Sequence, residues 1–235
     1  MNVMLLKKGW MAALLLMIMP FTTHAQNKVE ASVGADLVSG YIWRGQDLGG
    51  VSLQPSFGIS YKGFSIEAWG SVGVNSKDAK ELDLTIGYEV GGFSICINDY
   101  WASGDIGYFH YKANNTSHVF EAQLGYDFGP VAINWNTIFA GADGVNKKGN
   151  RAYSSYFSVK APFTLGSIEW EAEVGAVPWA TDYYNDGTNG FAVCDVSLSA
   201  SKEIKVTESF ALPLFAKVTW NPCTDAAYFV VGLTF

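Results

Sequence analysis

Residues 51–61, VSLQPSFGISY, alternate without a break: Val51, Leu53, Pro55, Phe57, Ile59 and Tyr61 against Ser52, Gln54, Ser56, Gly58 and Ser60. Successive side chains leave a strand on opposite faces, so the pattern predicts a β-strand with one oily and one polar face. The same alternation begins at Val29, where Ala31, Val33, Ala35, Leu37, Tyr41 and Trp43 share a face and Glu30, Ser32, Asp36 and Arg44 share the other. It continues through 64–74, 82–90, 93–101, 118–128, 131–139, 152–163, 168–177, 191–201, 209–220 and 226–235, twelve predicted strands in all.

The connections alternate too. Lys62-Gly63, Gly91-Gly92 and Gly129-Pro130 read as tight turns, with 164–167 and 202–208 slightly longer. Between them fall loops near 45–50, 75–80, 102–117, 140–151, 178–190 and 221–225. An even strand count, short turns at one end and long loops at the other are the habit of outer-membrane barrels. A soluble sandwich is the rival, since alternation alone does not say which face meets water.

Aromatic placement separates the two. On the oily face Tyr61, Phe64, Tyr88, Phe93, Tyr126, Phe128, Phe163, Phe210 and Phe235 lie at the short-turn ends, and Trp43, Trp101, Phe139, Tyr153 and Trp220 at the long-loop ends. Two aromatic rings around an aliphatic band match the two headgroup regions of a bilayer, and a sandwich core has no reason to sort its aromatics this way. Within the strands almost every charge falls on the other face, Asp99 excepted. The expected fold is therefore all-β: a transmembrane, antiparallel up-and-down barrel of about twelve strands, oily face to lipid and polar face to the lumen. Pro55 and Pro213 interrupt two of its strands, and bulges are expected there.

The first 25 residues form a different segment. Lys7 and Lys8 precede the apolar run Met11–Met19, Pro20 ends it, and Thr23-His24-Ala25 resembles a cleavage site. This predicts a secretory signal peptide over 1–25 and a barrel over 26–235, located in a bacterial, Gram-negative outer membrane. Removing the two leader lysines from 15 basic residues against 22 acidic ones leaves a mature net charge of −9, which disfavours nucleic acid as a partner. Cys96, Cys194 and Cys223 give neither a disulfide framework nor a zinc pattern, and by alternation Cys96 and Cys194 face opposite sides of the sheet. No cofactor is expected.

With the strands placed, GADLVSGYIWRGQDLGGVSLQPSFGISY (34–61) resembles the opening of the TorF family of small bacterial outer-membrane proteins. The shared features are a first strand ending in an aromatic-x-Arg-Gly step, here Trp43-Arg44-Gly45 after Tyr41-Ile42, and a Gln- or Pro-containing second strand. Phe64–Ser71 is similar to the family's third strand. The resemblance implies a barrel of unsettled role. AAYFVVGLTF (226–235), ending on Phe235, resembles the C-terminal signal by which such barrels engage their assembly machinery.

Chemistry is expected in the lumen. Acids dominate the inward face, and Glu67, Glu89, Glu169, Glu171 and Glu173, with Arg44, Lys160 and Lys217, are the filter candidates. If Phe163 faces Ile168, Glu171 faces Lys160; if Val74 faces Leu82, Glu67 faces Glu89. Fixed carboxylates in a confined channel concentrate cations, so passage or binding of small polar, cation-leaning solutes is the leading reading. A structural or surface-interaction barrel with a filled lumen is the alternative. A hydrolase is a distant third, because the mature chain offers only His110 and His118, and the neighbouring Ser117 would point away. No enzymatic activity is expected. Loop 178–190 offers Trp179, Tyr183, Tyr184 and Asp186 for a sugar or cation, although turn-forming residues need no ligand to explain them. Lipid is the remaining expected partner.

Overall fold

The computed structural model describes residues 28–235 apart from 79, 114, 186, 208 and 209. The expected signal peptide and Asp186 lie outside the described residues. Fourteen strands follow in order: β1 (Glu30–Val38), β2 (Tyr41–Trp43), β3 (Gln46–Gly49), β4 (Ser52–Tyr61), β5 (Phe64–Gly73), β6 (Lys80–Val90), β7 (Phe93–Ala102), β8 (His118–Asp127), β9 (Ala132–Gly141), β10 (Ser155–Leu165), β11 (Ile168–Val177), β12 (Ala192–Lys205), β13 (Ala211–Asn221) and β14 (Ala226–Thr234). Twelve of them close an antiparallel barrel, each beside its chain neighbour, with β1 joining β14 on one side and β4 on the other. β2 and β3 pair only with each other.

The wall has the inverted polarity the alternation predicts. Phe57, Ile66, Ile86, Ile97, Val218 and Phe229 are exposed on its outside, while Gln54, Asp83, Asn98, Glu121, Asn136, Asp195 and Thr219 are buried inside. Such a surface is stable only against hydrocarbon, where the barrel satisfies every backbone group internally. The short-turn end is built on tight hairpins. Lys62-Gly63 and Gly91-Gly92 both take positive φ at two successive positions, the geometry whose twist matches a two-residue β-hairpin.

The first strand departs from expectation. It ends at Val38, not Arg44, because Ser39-Gly40 turns the chain out of the wall and into the barrel. Tyr41 and Trp43, expected on the lipid face, therefore lie inside: Tyr41 packs on Trp69, and Trp43 on Tyr100 and Tyr184. Arg44 and Gly45, both at positive φ, form the turn of the small hairpin.

The prolines produce no bulge. Register stays constant through Pro55, and the β4–β5 ladder simply skips Gln54 and Pro55 between Leu53↔Val72 and Ser56↔Trp69. At Pro213 the β12–β13 register runs unbroken through Glu203↔Pro213, and the β13–β14 ladder has already ended, at Leu214↔Leu233. In the described wall, bulges occur instead opposite Phe120/Glu121 and Gly175/Ala176, and the plug hairpin has a register shift of its own at Tyr41/Ile42. The bulge at Gly175/Ala176 leaves Cys194 as the unpaired residue and rotates it inward to full burial, so Cys96 and Cys194 do not face opposite sides as expected. All three cysteines are free.

Candidate functional site: the lumen and its plug

The β2–β3 hairpin lies across the barrel at the long-loop end. Val38, Ile42, Phe215 and Val230 form one apolar seat beneath it. At its tip the Gly45 carbonyl accepts from Asn221 Nδ2 at 2.9 Å, and a Cβ on Gly45 would stand 1.9 Å from the Cys194 carbonyl oxygen. Only glycine fits there, on grounds of both space and φ.

Arg44 crosses the lumen from this turn. Its Nη1 and Nη2 donate to the Glu121 carboxylate on β8 at 2.6 and 2.8 Å, and Nη1 also donates to the Tyr184 hydroxyl at 2.6 Å. The guanidinium lies 4.3 Å from the Trp43 ring centre and 4.8 Å from that of Tyr156. Glu121 also accepts from Tyr100 Oη and Gln123 Nε2, each at 2.9 Å. A two-pronged ion pair whose remaining lone pairs are taken up is the arrangement in which burying two charges is tolerable. Glu121 and Tyr184 are both 0% exposed.

Loop 178–190 closes over the hairpin. Tyr183 and Tyr184 turn into the lumen against Trp43, and the Asn185 amide N–H donates to Gln46 Oε1 at 3.0 Å. Burial pushes the Tyr184 phenol well above its usual range, so it is a neutral hydroxyl beside the guanidinium. Trp179, by contrast, lies against outward-facing Trp135 and donates to the Ala152 carbonyl. The loop candidates thus divide between lumen and outer rim and do not converge on one ligand.

The other filter candidates separate into two levels. Mid-lumen, Lys160 Nζ and Lys217 Nζ stand 4.0 and 3.7 Å from the Glu173 carboxylate. Register brings Glu173, not Glu171, opposite Lys160; Glu171 faces Pro162 and Ser199. Nearer the short turns, Glu67 faces Thr85 and Gly58 while Glu89 faces Ser94, so the two acids are not opposite each other as expected. They do share a cavity, which Ser65, Thr85, Gly87, Cys96, Gln123 and Asn134 also line. Glu169 is exposed beyond it, between Thr164 and Ser201.

Small inward residues keep this half open. Ser32, Gly34, Ser56, Gly58, Ser60, Ser65, Gly87 and Ser94 are only partly buried, whereas nearly every inward group beside the hairpin is fully covered. The lumen is a cup: sealed at the long loops, accessible from the short turns.

The remaining histidines are outside this cup. His118 Nδ1 faces Asp99 Oδ1 at 2.6 Å, its Nε2 is capped by the Tyr108 carbonyl, and Tyr111 stacks on the ring. Both ring nitrogens are engaged without a serine, and Asp99, the acid that breaks the alternation, has its partner here. His110 is exposed in the loop.

Glu121, Tyr100, Tyr156 and Asn221, which cradle the hairpin, are not among the filter candidates. The signal for them is Ser39-Gly40 followed by Arg44-Gly45: two turn-forming pairs five residues apart inside an otherwise continuous alternation.

No protein-family model matches the chain, and no curated protein matches it. Solved structures do. One, from work on the mechanism of in-meso crystallization of membrane proteins, is 7% identical over 88% of this chain and 83% of that one, with a TM-score of 0.46. A porin is 17% identical over 90% and 78%, with a TM-score of 0.38. Judged on its own strands, the chain is a closed twelve-stranded antiparallel barrel, oily outside and polar within, consistent with an outer-membrane protein.

Proposed function

We propose that this barrel sits in the outer membrane with its short turns toward the periplasm, holds small polar, cation-leaning solutes in the cup, and passes them only when the hairpin is displaced. The observation that carries the reading is the Arg44–Glu121 clamp, which pins β2–β3 across the long-loop mouth. Glu67 and Glu89 in the open half supply acceptors for a cation or polar solute. The Trp43-Arg44-Gly45 step behind the TorF resemblance is the turn of that plug, so membership of that family belongs to the same proposal. Phe235, exposed on the outward face at the end of β14, is the contact proposed for the assembly machinery. The reading assigns no catalysis.

Val38 and Ser52 are already register partners. Residues 39–51 can therefore be replaced by a two-residue Asn-Gly turn that keeps the β1–β4 register and loses only the Ser39–Val231 and Val51–Val74 bonds at the rim of the wall. In planar bilayers the unaltered protein is expected to be silent and the shortened one to give stable, cation-preferring currents. Open currents from the unaltered protein, or silence from a correctly folded shortened one, would overturn the proposal.

A further inference from the structure

On β6, one level below the long-loop rim, Glu81 and Asp83 point inward two residues apart, with Cα atoms about 7 Å apart. Asp83 is 0% exposed, and neither carboxylate oxygen has a side-chain or backbone bond of good geometry; only the Trp101 backbone N–H approaches. Among the described residues neither acid enters an ion pair. Every lumen cation near the plug is already taken: Arg44 by Glu121, Lys160 and Lys217 by Glu173.

The walls around Asp83 are aromatic. Its register partners are Trp69 on β5 and Tyr100 on β7, the faces immediately to either side. Tyr41 from the hairpin packs on Trp69 with ring centres 5.6 Å apart, and its hydroxyl reaches toward Glu81. A buried carboxylate with no countercharge is among the costliest groups a fold can hold, and it is relieved by a proton, a basic side chain or a bound cation. Ring faces add attraction for a cation and none for an anion.

We propose that Glu81 and Asp83, walled by Tyr41, Trp69 and Tyr100, bind a small monovalent cation. No group of three or more His, Cys, Asp or Glu side chains that could hold a metal gathers among the described residues, and a divalent ion held by only two carboxylates keeps several waters that aromatic walls do not hydrogen-bond. Aromatic walls favour an ammonium-type ion over a strongly hydrated one. Because Tyr41 comes from the hairpin, the ion ties the plug to the wall. The site stands on its own two carboxylates, whether or not the barrel passes solutes.

The test is thermal unfolding of the detergent-solubilised full chain at constant ionic strength in chloride salts of ammonium, potassium, sodium and bulky N-methylglucamine. The wild type should show a Tm that rises with ammonium or potassium and saturates, relative to N-methylglucamine. Asp83→Asn should lose that dependence and match or exceed the wild-type Tm in N-methylglucamine. Glu81→Gln, which leaves the deeper acid in place, should weaken the response and serves if the Asp83 variant does not fold. A wild-type Tm identical in all four salts would show that protonation alone relieves Asp83. An equal cation increment in both variants and the wild type would place the cation elsewhere. Either result overturns the proposal.

Discussion

The two halves of one lumen use the same strands in opposite ways. Toward the long loops the inward positions carry Tyr100, Tyr156 and Glu121, and a hairpin drawn from the first connection fills what they leave. Toward the short turns the inward positions of β4 to β7 carry Ser56, Ser65, Gly87 and Ser94, and among the described residues no inserted segment covers them. The same twelve-stranded barrel encloses both levels, so strand number alone does not decide whether a lumen is open. Side-chain volume and one inserted hairpin do. Barrels of eight strands fill themselves and porins of sixteen to eighteen hold a channel; at twelve the outcome is set locally.

If the outer half is a packed, charge-clamped core and the inner half a solvated vestibule, equal substitutions should have unequal effects. The largest is expected from Glu121→Ala. It strands the buried Arg44 guanidinium among Trp43, Tyr156 and Tyr184, at a cost of about 3–5 kcal/mol in urea-induced unfolding from lipid vesicles. Replacing both partners by apolar residues should recover most of that loss, because no charge is then left unpaired. Next comes Tyr184→Phe, which removes one hydroxyl from the guanidinium and should cost roughly 1.5–3 kcal/mol in the same assay. At the other end, Ser201→Ala faces an accessible lumen and should shift stability by no more than about 0.5 kcal/mol. A loss at Ser201 comparable to that at Tyr184 would erase the distinction between the halves.

The sequence made the wall legible and left the plug hidden, for one physical reason. Alternation reports which side of a strand a residue is on, and a closed barrel keeps that meaning from β4 to β14. It says nothing about whether an alternating segment belongs to the wall. Tyr41 and Trp43 continue the period of Val33 and Leu37, yet they belong to β2, whose two faces both meet protein. Register failed for a related reason. Glu171 and Glu173 differ by one pleat, and only the turn at Gly166-Ser167 decides which of them meets Lys160. Cys194 shows the limit of strict alternation, since a single bulge reversed its side.

That bulge supplies the most direct probe of the account. Cys96 lines the open cup, while Cys194 lies beneath Gly45, sealed by Tyr156, Val177 and Tyr184. Single-cysteine variants labelled with a small water-soluble methanethiosulfonate should react at Cys96 and remain unreacted at Cys194, with exposed Cys223 as the positive control. In the variant carrying the two-residue turn in place of 39–51, Cys194 should react as well. Labelling of Cys194 as fast as Cys96 while the hairpin is intact would contradict the sealed outer half.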